Sequence, residues 1–320
     1  MANGIPYVST SEINTFCNRF LRKNIIDQRY KSRALMGILN STGRLVKIDG
    51  GSILSQPMLA QPNQTASSYF GADVFDADAQ EEFTNYEIPW KGAYASATVL
   101  GSDKLRVTGR ESALNLVKAK TESAYMAAFD KVASYIYGNG NGNGGKDWDG
   151  LGAGVNNAAG FQVYAGIDRL ANPWWQGQVF DPGTPTALST ASMMTLFMQC
   201  KTDEERIQLI TATKTGYASF WSLLTPQEIF SDDSIGNLGF ANISFQGCAV
   251  LDDYGQPSGT MNFHNLDHER LFLHTERQFE FQGFIRPYNQ DLETGQVLAF
   301  GNFEVRKPSA CGVMRSLSNG

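Results

Sequence analysis

The chain has 320 residues, of which 42% are hydrophobic and only 18% charged, and its net charge is −6. That length accommodates one large or two medium domains with buried cores, and the acid excess gives no general support to a nucleic-acid-binding role. No run approaches the roughly 20 apolar residues of a membrane helix, and the first 16 residues lack the basic and apolar regions of a secretory signal, so the protein is expected to stay in the compartment where it is made. Cys17, Cys200, Cys248 and Cys311 lie too far apart for a zinc motif or a disulfide frame and are expected to be reduced core residues.

Ser9 and Glu12 have capping-box spacing, and Ile13, Phe16, Cys17, Phe20 and Leu21 follow at helical intervals. This predicts a short amphipathic helix, then a basic, less periodic arm to about Lys47. Residues 1–47 carry eight basic side chains, among them Arg19, Arg22 and Lys23, against Glu12 and Asp27, for a net +6. The next stretch is its opposite: from Ile48 to Trp90 there is no Lys or Arg, while Asp49, Asp73, Asp76, Asp78, Glu81, Glu82 and Glu87 all fall there. Two strand-like runs, 45–59 and 83–100, flank a long polar and acidic connection. A connection of that length suits a hairpin that projects from the core.

Between Ser102 and Tyr137, Leu114, Val117, Tyr125, Ala128, Val132 and Ile136 form an apolar stripe, Lys118 and Glu122 pair at i,i+4, and Gly138 supplies the stop. One helix over 102–137 would span roughly 54 Å, and Gly109 inside it would weaken its first third by about 1 kcal/mol relative to Ala. Beyond the glycine-rich 138–145, helices are predicted over about 189–201 and over 225–230, the latter opened by Thr225, Pro226 and Glu228. Short strands are predicted at 207–213, 241–247, 268–275, 278–285 and 296–305. Strands and helices interleave without a regular βαβ repeat, which favours an α+β architecture.

Three constellations invite a chemical reading. Gly140–Gly145 matches G-x-G-x-x-G, but it follows a helix rather than a strand, and Asp147 stands where a phosphate loop needs Ser or Thr. His264, His268 and His274 cluster within eleven residues, in a segment that reads as turn then strand and without the further ligand a zinc site requires. Counted from Asp76, a calcium loop would need Gly at the sixth position and Glu at the twelfth; the chain has Glu81 and Glu87, so Asp73, Asp76, Asp78, Glu81 and Glu82 read as a solvated acidic face. With no GxSxG, HExxH or Cys/His signature, no catalytic, cofactor or metal residue is assigned.

The order of elements and several local motifs resemble the major capsid proteins of tailed phages, the Hong-Kong-97-type fold. The local signals are Gly166-Ile167-Asp168-Arg169 before Trp174-Trp175, Arg286-Pro287-Tyr288-Asn289-Gln290-Asp291, and Gly301-Asn302-Phe303 with Gly312-Val313. The resemblance implies an N-terminal arm (1–47), an extended β-hairpin loop (48–100), a peripheral domain (101–185 and 262–320) built on the 102–137 spine helix, and an axial domain (186–261). It further implies a non-enzymatic virion protein that forms hexamers and pentamers of an icosahedral head around double-stranded DNA. Assembly is then expected in the host cytoplasm with a separate scaffolding protein, a portal protein and in some cases a decoration protein, with no cofactor and no membrane. Arg19, Arg22, Lys23, Asp73, Asp76, Asp78, Glu81 and Glu82 become the candidate inter-subunit contacts. The alternatives are a tail-tube or decoration subunit, which lacks so long a helix, and a metal- or nucleotide-dependent enzyme.

Overall fold

A computed structural model describes residues 33–76, 78–106, 110–201, 205–224 and 243–318. The helix expected after Ser9, the basic residues Arg19, Arg22 and Lys23, and the helix expected over 225–230 lie outside the described residues. In chain order the first elements are α1 (Ala34–Ser41), β1 (Leu45–Ile48), β2 (Ile53–Leu59), β3 (Phe83–Pro89), β4 (Lys91–Leu100), α2 (Gly101–Arg106) and α3 (Arg110–Ile136). After these come β5 (Val163–Tyr164), β6 (Ile167–Asp168), β7 (Gln178–Phe180), α4 (Thr190–Cys200), β8 (Leu209–Ala212) and α5 (Lys214–Leu223). The chain closes with β9 (Ile243–Phe245), β10 (Cys248–Asp252), β11 (Met261–His264), β12 (Glu269–His274), β13 (Glu280–Ile285), β14 (Leu292–Val305) and β15 (Gly312–Met314).

Residues 33–47, expected as the less periodic end of a basic arm, instead join the fold: 33–39 enter the core and β1 pairs with β12. Leu35, Met36, Ile38 and Leu39 of α1 are buried, because their apolar side chains find a partner surface that a free arm would not offer. Arg33 fixes this helix by donating to Asp130 of α3 at 2.8 Å with its guanidinium over the Tyr254 ring, and the Leu35 N–H donates to Asp253 at 2.9 Å.

Both runs expected as single strands are broken in two. Between β1 and β2, Gly50 and Gly51 take φ of 79° and 89°, which side-chain-bearing residues avoid. Between β3 and β4 the break falls at Trp90, directly after Pro89, which has no N–H to give a ladder. β2 and β3 pair antiparallel from Ile53 opposite Pro89 to Leu59 opposite Phe83. β4 leaves this hairpin and pairs with β14 along ten residues, so 91–100, grouped by sequence with the projecting loop, belongs to a five-stranded sheet. The 14-residue β14 makes this possible: β4 lies along one edge, and β13 and then β12 along the other.

The helix expected over 102–137 is described as α2 and α3, with 107–109 outside the described residues. At 27 residues, α3 spans about 40 Å. Val117, Ala128, Val132 and Ile136 of the expected stripe are buried against β4 and β14, joined by Thr121 and Ala124, while Leu114 and Tyr125 are half-buried. Lys118 and Glu122 lie 3.9 Å apart on another face. Ala124 and Ala128 meet a strand whose buried residues include Ala93 and Ala97, and small side chains on both surfaces let helix and sheet approach closely.

The second sheet has six strands in the order β7-β15-β11-β8-β10-β9. Alternate residues of its strands enter two separate apolar clusters. Leu209, Ala249, Leu251 and Val313 face the cluster that holds α3, whereas Ile210, Val250, Met261, Phe263 and Met314 face the cluster that holds α4 and α5. The sheet is buried on both faces, which is why β8 and β11 are buried at every position. Cys200, Cys248 and Cys311 are buried here, and Cys17 lies outside the described residues. α4 begins as its sequence indicates, with the Ser189 hydroxyl accepting from the Ser192 N–H at 3.1 Å.

Candidate assembly surface

The hairpin is anchored at its base by alternation. Tyr86 and Ile88 of β3 are buried, Leu54, Gln56 and Met58 of β2 are half-buried, and the residues between them face outward. The Tyr86 ring stands 5.7 Å from that of Trp175, and its hydroxyl donates to the Glu304 carboxylate. Burial, reinforced by the charge of Glu304, pushes this hydroxyl above its ordinary range, so it remains a donor. Arg306 donates to Gln56 from β2, and the Glu87 N–H donates to the Ala165 carbonyl at 2.9 Å.

Two of the three local motifs support that base, while the third, Arg286–Asp291, forms an exposed ion pair at 3.1 Å in the β13–β14 turn. Arg169 is fully buried with its guanidinium spread over three carbonyls: Trp175 at 3.0 Å, Phe161 at 3.0 Å and Gly154 at 2.5 Å. Desolvation holds its pKa down at about 10, partly offset by Tyr164, whose ring lies 5.1 Å from the guanidinium. Trp175 returns a bond from its indole N–H to the Tyr164 carbonyl at 3.1 Å. Asn302, also fully buried, accepts from the Asp149 and Phe303 N–H groups at 2.8 and 2.9 Å and donates to Pro89 and to the Asp149 carboxylate, each at 2.9 Å. The other oxygen of Asp149 receives Lys91 at 2.9 Å. One side chain thus ties the end of the hairpin, β14 and the loop after α3 together.

The tip of the hairpin has the opposite character. Tyr69, Phe70, Val74 and Phe75 are exposed, Phe70 to 91% and Val74 to 97%, although Tyr69 and Phe75 meet edge to face at 5.1 Å. The sequence-predicted acids lie among them. Asp73 accepts from the Phe70 N–H at 2.9 Å, Asp76 from that of Asp78 at 3.1 Å, and Glu82 from the Asn63 side chain at 2.5 Å, while Asp78 and Glu81 are exposed. With no Lys or Arg between Ile48 and Trp90, the hairpin supplies no cation to these carboxylates. Asp73, Asp76, Asp78, Glu81 and Glu82 thus lie along the β2–β3 connection, Asp73, Asp76, Asp78 and Glu81 exposed and Glu82 half-buried, and their expected partners Arg19, Arg22 and Lys23 lie outside the described residues. The aromatic half of the tip was missed in the sequence. Its signal was Tyr69-Phe70 and Val74-Phe75 in a stretch with neither strand alternation nor helical spacing. Other exposed large side chains are Tyr288 in the β13–β14 turn, Met194 and Met198 on α4, and Trp221 on α5.

The three histidines go to separate partners. His264 is buried between Glu269 at 2.9 Å and the Thr211 hydroxyl at 2.8 Å, and His274 caps a short helical turn through the Glu276 N–H. His268 joins Lys307 and Asn265 on Glu205 at 2.9, 2.9 and 2.7 Å. Among the described residues no group of His, Cys, Asp or Glu is placed to hold a metal ion, and no helix is long and apolar enough to cross a membrane. Burial alone would push the Glu205 carboxyl up, but hydrogen bonds from Lys307, His268 and Asn265 outweigh it and hold it at about 2. Because that value lies below the ordinary 4.5, the cluster stabilises the fold above about pH 4.5 and loses that contribution as pH falls toward 2. Glu205→Gln is accordingly expected to lower stability near pH 7 and to converge with the wild type near pH 2; thermal melts at both pH values check this, and an equal deficit at both would contradict it.

No protein-family model matches the chain, and no curated protein matches it in sequence. Solved structures do. The capsid subunit of cyanophage A-1(L) superposes with a TM-score of 0.65 at 14% identity, over 88% of this chain and 92% of that one. The capsid of an empty GTA particle gives 0.60 at 11% identity over 91% of both chains, and the encapsulin complex of Synechococcus elongatus gives 0.53 at 10% identity over 86% and 85%. The protein therefore has the fold of shell-forming subunits. Within that class it is the Hong-Kong-97-type fold of tailed-phage capsid proteins, matched over about nine-tenths of the chain rather than over one module.

Proposed function

We propose that this chain is the major capsid protein of a tailed phage, a structural rather than catalytic subunit that assembles as hexamers and pentamers into an icosahedral head around double-stranded DNA. The observation that carries this reading is the hairpin tip. On a fold shared with capsid subunits, it presents Phe70, Val74 and Phe75 to solvent beside acids to which the hairpin offers no cation, a surface suited to being covered by another molecule. In this reading the segment before Arg33 is the arm and the β2–β3 hairpin with its tip is the extended loop. The α3 spine with the five-stranded sheet forms the peripheral domain, and residues 186–261 form the axial domain. Each contact is weak, and a closed symmetric shell multiplies it. The expected partners are copies of itself, a scaffolding protein, a portal protein, a decoration protein in some heads, and packaged DNA bound without sequence preference. The protein would be built into the virion in the host cytoplasm. Negative-stain microscopy and sedimentation of the purified chain test the reading: hexamers, pentamers, sheets or closed particles are expected. A chain that stays monomeric at high concentration, in every salt and with scaffolding protein present, would rule it out.

Two predictions follow from the tip and the arm. Phe70→Ser combined with Phe75→Ser should leave subunit stability within about 0.5 kcal/mol of the wild type, since both side chains are solvated, yet cut assembly at least about tenfold by removing interface anchors. Sedimentation showing wild-type particle yield would take the tip out of the interface. The acids of the tip are the natural partners of Arg19, Arg22 and Lys23 on a neighbouring subunit. Exposed ion pairs contribute only about 0–1 kcal/mol each, but several repeated around a shell set register and rate, and salt screens them. Reversing Arg19, Arg22 and Lys23 to Glu is expected to preserve the circular dichroism spectrum and to slow or block assembly at low salt. An assembly rate equal to wild type across the whole salt range would show that the asymmetry has no role.

A further inference from the structure

The glycine-rich segment that follows α3 is the one sequence motif used neither by the core nor by the proposed assembly surface. It contains three Asn-Gly pairs in succession: Asn139-Gly140, Asn141-Gly142 and Asn143-Gly144. In such a pair no Cβ shields the glycine nitrogen, so that nitrogen can approach the Asn side-chain carbonyl carbon and close a five-membered imide.

The fold places the three pairs differently. Asn139 forms a β-bridge with Asp149, and its Oδ1 accepts the Asn141 N–H at 3.2 Å. Gly140 is buried, with Lys91 Nζ 3.5 Å from its carbonyl and the Asp149 carboxylate so close that a Cβ would lie 2.1 Å from Oδ1. For Asn139 to close the ring, its side-chain amide would have to give up the Asn141 N–H, and its backbone is held by the bridge to Asp149. All three asparagines are exposed, so what differs is the glycine after each: Gly140 is buried, whereas Gly142 and Gly144 are exposed. Asn141 opens the single helical turn Gly142–Gly145 without a side-chain capping bond. Asn143 sits in the left-handed region at φ 51°, and Gly144 has open space where a Cβ would be.

We propose that Asn143, and more slowly Asn141, are sites of spontaneous conversion to aspartyl and isoaspartyl residues, and that Asn139 is protected by its place in the fold. The glycine nitrogen loses its proton to solvent and attacks Cγ. The Cγ–Nδ2 bond breaks, ammonia leaves with a proton from water, and the resulting succinimide is opened by one water at either carbonyl. Each event replaces a neutral amide with a carboxylate, and the water consumed and ammonia released balance the step. Asp147 packs against Gly142 at this loop, so the segment beyond the spine helix becomes progressively more acidic with age. This holds whether or not the protein forms a shell.

The experiment uses the full chain in its native state, held at mildly alkaline pH and sampled over time, with a parallel sample in concentrated urea. Peptide fragmentation locates each amide-to-acid mass gain, and isoaspartyl methyltransferase labelling detects the isoaspartyl product. In the native chain, conversion at Asn143 should run at least about tenfold faster than at Asn139, because the latter is denied the attack geometry, and in urea the difference should vanish. Gly144→Ala, which finds room for the methyl group but is strained at φ 66°, should slow Asn143 alone in both the native and the urea samples. Equal native rates at Asn139 and Asn143, no native conversion while the urea sample converts, or a Gly144→Ala rate at Asn143 equal to wild type would each overturn the proposal.

Discussion

Val132→Asp is expected to yield no soluble folded subunit. Val132 is fully buried, one turn beyond Ala128 and one before Ile136, on the face of α3 that packs against β4 and β14. An aspartate there would lose the valine's burial, worth about 2 kcal/mol, and would place an unpaired carboxylate among apolar side chains at about 3–5 kcal/mol more. The sum, about 5–7 kcal/mol, equals or exceeds the lower end of the roughly 5–15 kcal/mol by which a domain is stable. Asn141→Ser, in the exposed turn just beyond the same helix, is the control and should be nearly silent. Partitioning of the two variants between soluble and insoluble fractions, followed by circular dichroism of whatever is soluble, checks the pair. A soluble, helical Val132→Asp protein would mean that this face of α3 is not the core.

Arg169→Met is expected to destabilise the subunit by about 3 kcal/mol or more, because it leaves the carbonyls of Gly154, Phe161 and Trp175 without donors at a site closed to water. Methionine keeps the length and much of the apolar contact of the arginine stem, so the loss isolates the guanidinium. The damage should also reach the hairpin, since Trp175 supports Tyr86 from one side and Tyr164 from the other. Urea denaturation measures the first effect, and proteolysis within residues 60–82 of the folded variant measures the second. A midpoint equal to that of the wild type would show that three buried carbonyls can do without their shared donor. Arg169→Lys should recover only part of the loss, because a single ammonium cannot reproduce the spread of the planar guanidinium.

The reach of the sequence is clearest in the long elements. The stripe from Val117 to Ile136 identified the spine because helical periodicity is a local property, readable within one window. The span of α4, predicted over about 189–201, was legible for the same reason. β10 and β11 were not predicted: their side chains are buried on both faces of the six-stranded sheet, so they lack the alternation that marks a half-exposed strand. α5 was missed as well. Its sequence, KTGYASFWSL, is poor in strong helix formers, and it rests on the Thr213 cap, which accepts the Gly216 N–H at 3.0 Å, and on burial of Phe220.

The assembly surface divides along the same line. The sequence by itself determined the charge asymmetry, the acids Asp73, Asp76, Asp78, Glu81 and Glu82, the existence of a long hairpin, and the motifs around Arg169 and Asn302, all of which are matters of composition and spacing. Only the tertiary structure decided where the hairpin ends, because Lys91–Leu100 becomes a strand at the edge of the five-stranded sheet by pairing with residues about two hundred positions later. It likewise decided that Arg169 serves three carbonyls rather than a carboxylate, that Asn302 meets Asp149 from 153 residues away, and that Tyr86 meets Glu304 across 218. Such contacts are set by which surfaces come together when the two cores close on the sheet between them, and no local window of sequence contains that information.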